Sequence, residues 1–234
     1  MRKSIVMGFL SALIFLGWCS QFAVAKELTG KERAVLQKLA SESGGNLQIK
    51  WNEETNTPSY LSGQLSQPSK HSPEWIAYEF LDHVKSLYGM KNPNRTMKIL
   101  KINRDENGSQ VHMQHLVFNT PVWGDELVVT IDQAGIIRSV NGRFSPNLED
   151  RLFNRPMKAA FSPQVAIEKA RSSFDTKGTA AKEPTVEPYY LPTRNGTPLI
   201  YVVTLRFQEP EMGNWKIFVH SLTGKVIEKY KDES

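Results

Sequence analysis

The chain has 234 residues, with 29 basic and 24 acidic side chains, 40% hydrophobic residues and a single cysteine. This length is enough for one or two domains, and the composition excludes the collagen-like, disulfide-rich and highly charged disordered classes. The positive charges are dispersed, without a run of five or more Lys and Arg, which argues against a nucleic-acid-binding protein.

The first 25 residues predict a secretory signal peptide. Arg2 and Lys3 precede an apolar stretch at 5–18, and Ala23-Val24-Ala25 is a small-residue cleavage site. The alternative, a membrane anchor, is disfavoured because the apolar stretch is shorter than the ~20 residues that span a bilayer. Cleavage leaves 209 residues with 27 basic and 24 acidic side chains and no cysteine. We therefore expect a secreted chain, extracellular or in the cell envelope, with no membrane contact after cleavage.

Two helices are predicted in the first half of the mature chain. Thr29 and Glu32 form a capping box for a helix at 30–42. Ser72-Pro73 is the start signal of a second helix, which ends at Gly89. One face of this helix is apolar and is expected to be buried: Ile76, Phe80, Val84 and Leu87.

Strand patterns flank the second helix. Residues 47–51 and 59–65 alternate apolar and polar side chains around a turn-rich segment, which predicts a hairpin. Four further strands follow the helix, with a turn predicted at 119–124, and their short connections favour an antiparallel meander. They are predicted at 97–103, 109–118, 126–132 and 136–144.

The same order of elements restarts after a polar stretch at 145–158. Ser162-Pro163 begins a third helix, and a loop is predicted at 175–184. Four strands are predicted at 186–191, 198–207, 215–220 and 225–230, with turns at 194–196, 209–214 and 222–224. Helix followed by antiparallel sheet thus occurs twice, so we predict an α+β chain of two tandem domains, each a helix packed on a curled antiparallel sheet, joined near 146–160.

The residues that carry enzymatic chemistry do not form known patterns. His112 and His115 lie three apart in a predicted strand, so their side chains point to opposite faces and cannot share one metal. Neither H-E-x-x-H nor G-x-S-x-G occurs in the sequence. We therefore expect a protein that is not an enzyme and that uses no metal and no cofactor.

The tryptophans divide into two groups. Trp51, Trp75 and Trp215 lie in predicted helices and strands, where packing in the core is the default. Trp123 lies instead in the predicted turn at 119–124. It either anchors a binding partner or folds back over the sheet edge.

Residues 110–144, QVHMQHLVFNTPVWGDELVVTIDQAGIIRSVNGRF, resemble the fungalysin/thermolysin propeptide (FTP) domain. That domain has a strand, G-V-P-V-x-G, E-L-V-V-H-x-D and S-V-N-G in this order. Residues 58–63 resemble its opening hairpin, and residues 162–230, ending in NWKIFVHSLTGKVIEKY, resemble the PepSY domain that follows it in thermolysin-type (M4) proenzymes. The resemblance implies a cystatin-like fold, with an FTP-like domain at 26–148 that includes the N-terminal helix and hairpin, and a PepSY-like domain at 149–234.

Several positions depart from the family pattern. Asn119 stands in place of a Gly, which is tolerable because Asn enters left-handed conformations more readily than other non-Gly residues. His112 stands where an Arg is usual and Thr130 where a His is usual, whereas Gln114 matches. These changes leave the expected fold unaltered.

The resemblance implies a propeptide that assists the folding of its peptidase and then blocks the active-site cleft. Because the chain stops at Ser234 without a catalytic domain, we expect a secreted, non-enzymatic protein that binds a thermolysin-like (M4) metallopeptidase in trans, as inhibitor, chaperone or both. Strand addition would supply the contacts. The expected contact residues are His112, Gln114, Thr120, Pro121, Val122, Trp123 and Gly124. The alternative is a cell-envelope module that regulates another hydrolase or binds a wall or surface ligand.

Overall fold

The computed structural model describes residues 28–174, 179–193, 196–209 and 213–232. The predicted signal peptide lies outside these residues, as do parts of the loop predicted at 175–184 and of the turns predicted at 194–196 and 209–214. Among the residues described, no helix is long and apolar enough to cross a membrane.

The three longer helices begin at the predicted start signals, although Ser162 makes no side-chain cap hydrogen bond at the start of the third. In the capping box, Glu32 N–H donates to Thr29 Oγ1 (3.3 Å) and Thr29 N–H donates to Glu32 Oε2 (2.7 Å). Ser72 Oγ accepts from the Trp75 N–H, and the second helix ends at Gly89. Two four-residue helices were not predicted. The helices are α1 (Gly30–Glu42), α2 (Pro73–Tyr88), α3 (Pro93–Thr96), α4 (Leu148–Arg151) and α5 (Pro163–Arg171).

The first six strands confirm the predicted hairpin and meander. They are β1 (Gln48–Asn52), β2 (Thr57–Ser62), β3 (Met97–Asp105), β4 (Gly108–Val117), β5 (Thr120–Asp132) and β6 (Ile137–Gly142). All their pairings are antiparallel, in the spatial order β1-β2-β6-β5-β4-β3.

The turn predicted at 119–124 is wrong. Val117 pairs with Thr120, so the connection is a two-residue loop, Phe118 and Asn119, and β5 has already begun at Thr120. Both loop residues have a left-handed backbone, with φ of 49° and 64°, as a tight hairpin of this length requires. Asn119 thus adopts the conformation expected for a substitute of Gly.

The remaining strands form the second half of the sheet. They are β7 (Thr179–Ala180), β8 (Thr185–Tyr190), β9 (Leu199–Glu209), β10 (Gly213–His220) and β11 (Val226–Asp232). Their order is β8-β9-β10-β11, with β7 also beside β9, and all pairs are antiparallel. A parallel contact between Val122 and Tyr190, which the sequence did not predict, joins both halves into one eleven-stranded sheet.

The chain is α+β, with one helix-covered core in each half of the sheet. In the first half, α2 buries its predicted face against the meander, including Phe80 and Val84. In the second half, Ala166 and Ala170 of α5 pack against strands β9 and β10. Each core therefore has the predicted helix-on-sheet form, while the limits 26–148 and 149–234 remain a prediction.

Tyr88 offers a stability test of the first core. Its side chain is fully buried, and its hydroxyl has no hydrogen-bond partner among the residues described. Burial also raises the pKa of this phenol. Because an unpaired buried polar group costs about 1–3 kcal/mol, Tyr88→Phe is expected to raise the free energy of unfolding by about 1 kcal/mol, measured by urea denaturation.

Tyr78 provides the matched control, because its hydroxyl donates to the Met97 carbonyl at 2.9 Å. Tyr78→Phe removes a formed hydrogen bond and is expected to lower the free energy of unfolding by about 1 kcal/mol. An equal loss in both variants would contradict the assignment of an unpaired hydroxyl to Tyr88.

Candidate functional site

Two of the predicted contact residues have buried side chains. Gln114 is 5% exposed and Val122 is 0% exposed. The Gln114 amide donates to the Val122 carbonyl (2.8 Å) and to the Asp125 carbonyl (2.9 Å), and so fixes the first residues of β5 against β4. The accessible part of the predicted surface therefore consists of His112, the half-buried side chains at 120, 121 and 123, and exposed Gly124.

Trp123 is half-buried between the two halves of the sheet. Its ring contacts Tyr189 of β8 and Phe218 of β10 edge to face, with centroid distances of 5.1 and 4.9 Å. Lys216 Nζ lies 5.8 Å from the centroid of the indole. Burial and the neighbouring Glu187 carboxylate raise the pKa of Tyr189 to about 12. The indole thus packs on β8 and β10 in the second half of the sheet, and a contact of Trp123 with a binding partner stays a prediction.

His112 lies in the first half of the sheet, on the face opposite to α2. Directly paired residues in a sheet project to the same side, and His112 pairs with Lys101 on β3 and Val128 on β5. Neighbouring residues along these strands, such as Val111, point to the face covered by α2 and are buried. The row that contains His112 therefore points outward, away from α2. It continues through Asn141 and Tyr60 to Lys50.

The outward face is polar and has few charges. A second outward row beside the first begins with Asn103, Gln110 and Thr130 and ends with Ser139 and Ser62. The Asn103 amide nitrogen lies 3.3 Å from His112 Nε2. We call this surface, lined by both rows, the outer face. It is a broad surface of amides, hydroxyls and one imidazole, with Lys101 and Lys50 on its outer strands and Val128 between them.

A buried polar cluster lies behind the start of β5. Asp125 is 0% exposed, and its Oδ2 accepts from the Ser145 N–H at 2.7 Å. His115 Nδ1 lies 2.9 Å from the same oxygen. The Ser145 hydroxyl donates to Asp125 Oδ1 at 3.0 Å, and Arg143 Nε lies 3.6 Å from Oδ1. The carboxylate therefore joins β4, β5 and the segment after β6.

The hydrogen bonds of this cluster indicate a structural role. In a hydrolytic triad the serine hydroxyl donates to the histidine, whereas the Ser145 hydroxyl donates to Asp125. The His115 ring also stacks on Phe144 at 4.1 Å and is 4% exposed. Among the residues described, no group of three or more His, Cys, Asp or Glu side chains has an arrangement suited to a metal ion.

The sequence analysis missed this cluster although the pattern contains a signal for it. His115 continues the inward positions Val111 and Met113, and Asp125 precedes the inward positions Leu127 and Val129 by the same step of two. A histidine and a carboxylate on the inner face of adjacent predicted strands indicate a buried pair. The cluster was missed because the alignment of the two strands was not known. The two-residue hairpin at 118–119 determines that alignment.

Comparison with known proteins identifies the central part of the chain. Residues 95–144 match the family model described as the Fungalysin/Thermolysin Propeptide Motif. This segment contains strands β3 to β6 and therefore most of the outer face and the buried polar cluster. The chain thus carries a propeptide motif of the fungalysin/thermolysin type.

Longer similarities extend beyond this motif. Bacillolysin of Bacillus cereus is 27% identical over 187 residues, which cover 77% of this chain and 32% of the relative. Thermolysin of Alicyclobacillus acidocaldarius subsp. acidocaldarius is 31% identical over 189 residues, or 77% and 34% of the two chains. The chain resembles the propeptide region of thermolysin-type metallopeptidases. It spans about a third of the length of these relatives.

A solved structure, the C-terminal domain of YpeB from Bacillus megaterium, aligns with 89% of this chain and all of that domain, at 13% identity and a TM-score of 0.35. A score of this size does not establish a common fold. The assignment of residues 149–234 to the PepSY domain remains a prediction from the sequence.

Proposed function

We propose that this chain is a secreted, non-enzymatic, propeptide-like protein that binds a thermolysin-like metallopeptidase in trans, as an inhibitor, a folding chaperone or both. The observation that carries the proposal is the propeptide motif at 95–144, together with similarity to bacillolysin and thermolysin over about three quarters of the chain. A propeptide acts by binding, so a contact surface is needed and a reactive group is not.

The arrangement of the polar residues supports the non-enzymatic part of the proposal. The most buried ionisable group in the motif, Asp125, has its oxygens occupied by Ser145 and His115. A catalytic group must touch the substrate, and these three side chains are at least nine-tenths buried. They hold strands together.

The outer face is the contact surface that we propose for the peptidase. It contains His112 from the predicted set, and it includes strands that belong to the propeptide motif. Half-buried Val128 and Thr130 lie at its centre, with Lys101 at its edge on β3. A surface with amides, hydroxyls and a little apolar area fits a folded protein partner, whose contact areas are about as polar as an average surface.

The first test is inhibition of separately produced thermolysin and bacillolysin by the purified protein, measured with a fluorogenic peptide substrate. Saturable inhibition, or a higher yield of active enzyme when the unfolded peptidase is refolded with the protein, is the expected result. Absence of both effects across several such enzymes would refute the proposal. Capture of a wall hydrolase from culture medium, and of no metallopeptidase, would favour the alternative function.

The second test locates the surface. Thr130→Arg places a long cation at the centre of the outer face and is expected to raise the inhibition constant roughly tenfold or more, as disruption at the centre of an interface does. Thr204→Arg is the matched control, since Thr204 is a half-buried threonine of β9 in the second half of the sheet. Equal inhibition by the two variants would exclude the outer face as the contact surface.

A further inference from the structure

An open cleft of about 640 Å³ lies on the helix side of the first half of the sheet. Its walls are the C-terminal half of α1, the exposed side of α2 and the segment 65–71 between β2 and α2. This volume is typical of sites for small molecules and short polymers. None of the predicted peptidase-contact residues lines it, so the cleft is independent of the proposed function.

The cleft has an aromatic wall. Trp75, predicted from the sequence to pack in the core, is instead 45% exposed and faces the cleft. The His71 ring lies 4.0 Å from the indole at an angle of 36°, and so supports it from one side. Buried Leu65, Ile76 and Phe80 form the apolar floor. A large exposed aromatic beside an apolar floor favours a ligand with an apolar face.

The other walls are polar and of mixed charge. The titratable side chains that line the cleft are Lys38, Glu42, Lys70, His71, Glu79, Asp82 and His83. Lys38 lies 3.9 Å from Glu42 within α1. Asp82 lies 3.0 Å from Lys85. Glu79 has no hydrogen-bond or ion-pair partner in the described part of the chain and is exposed.

These charges nearly cancel, which constrains the ligand. With neutral imidazoles, three carboxylates stand against two ammonium groups. A strongly basic polymer would be repelled by the lysines of the cleft, and a strongly acidic polymer by its carboxylates. A neutral ligand with many hydroxyls avoids this repulsion and can form hydrogen bonds with both kinds of group.

We infer that this cleft binds a neutral oligosaccharide. A pyranose ring has a face of C–H groups, whose positive edges suit the negative face of the Trp75 indole, and an equatorial ring of hydroxyls that can donate and accept. The Glu79 carboxylate accepts from these hydroxyls, and His83, one turn further along α2, lines the same wall. The cleft is open and has a volume of about 640 Å³, so it admits a short chain of sugars.

Titration calorimetry of the purified protein with cellohexaose, chitohexaose and maltohexaose tests the inference. At least one of the three is expected to bind saturably below millimolar concentration. Trp75→Ala is expected to weaken that binding roughly tenfold or more, since it removes the stacking surface, and Glu79→Gln by several-fold, since it removes a charged hydrogen-bond acceptor.

Matched controls replace the same residue types outside the cleft. Phe153→Ala removes an aromatic side chain that is 86% exposed, and Glu53→Gln neutralises an exposed carboxylate in the turn between β1 and β2. Neither is expected to alter sugar binding. Circular dichroism and thermal unfolding check that all four variants are folded.

Three results would overturn the inference: no heat of binding with any of the three sugars at millimolar concentration, equal affinity in Trp75→Ala and the wild type, or Trp75-dependent binding of a peptide library with no sugar binding. Peptidase inhibition by the same variants separates the two proposals. We expect Trp75→Ala to inhibit as the wild type does, so that failure of one proposal leaves the other standing.

Discussion

Asp125→Asn is expected to lower the free energy of unfolding by about 3 kcal/mol, the low end of what loss of one partner costs a buried ionic network. The carboxylate is fully buried and accepts from the Ser145 N–H and hydroxyl, with His115 Nδ1 at 2.9 Å. An amide at this position keeps only one acceptor oxygen, and its NH2 group faces either the Ser145 N–H or Arg143 Nε, which can only donate. Urea denaturation, followed by circular dichroism, measures the change.

Asp82→Asn is the matched control for this prediction. Asp82 also lies close to a cation, Lys85 at 3.0 Å, but its side chain is 54% exposed. Exposed ion pairs contribute little, so this variant is expected to unfold almost as the wild type does. A similar, small change in both variants would show that the buried cluster does not hold β4, β5 and the segment after β6 together.

A double-mutant cycle extends this test to the pair. If His115 and Asp125 interact directly, the loss in the double variant His115→Ala, Asp125→Asn is smaller than the sum of the two single losses. Full additivity would mean that the 2.9 Å contact between Nδ1 and Oδ2 contributes nothing of its own.

Elements with local start and stop signals were predictable from the sequence. Ser72 and Pro73 begin α2 and Gly89 ends it, because capping requires only residues adjacent in sequence. Val111 and Val129 are buried at alternate positions of β4 and β5, a pattern that can be recognised within a single strand. For this reason the helix-on-sheet form of both halves followed from the sequence.

The predicted turn at 119–124 failed for a reason that lies in strand pairing. Pro121 and Gly124 are common turn residues, yet in the structure Pro121 pairs with Leu116, next to an irregularity in the pairing of β4 with β5. The turn itself needs only Phe118 and Asn119. The residue types at 119–124 suggested a turn. In the structure, hydrogen bonding to the end of β4 makes Thr120 and Pro121 part of β5.

Contacts between distant segments could not be predicted in this way. Val122 pairs with Tyr190, 68 positions later, and Trp123 packs on Tyr189 and Phe218. No pattern within a single strand specifies which other strand it meets. The cleft beside Trp75 has the same origin, because it is formed by α1, α2 and the segment 65–71 together.

Gly142→Ala is expected to lower the free energy of unfolding by about 3–5 kcal/mol, because backbone strain and overpacking each cost about 1–3 kcal/mol. Gly142 is the glycine of Ser139-Val140-Asn141-Gly142, one of the sequences that carry the propeptide resemblance. It pairs with Leu127 and has φ of 133°. A Cβ atom here would lie 1.9 Å from the Glu126 carbonyl oxygen, so β5 and β6 would have to separate.

Gly124 is the matched control, since it belongs to the other glycine sequence of the motif and also has a positive φ, 75°. A Cβ atom at Gly124 meets nothing within 4 Å, so Gly124→Ala is expected to cost only the strain of a left-handed residue, about 1–2 kcal/mol. Urea denaturation of both variants measures the difference. Equal losses would mean that the positive φ alone explains why glycine is needed at both positions. A larger loss at Gly142 would mean that glycine is needed there because β5 and β6 pack closely.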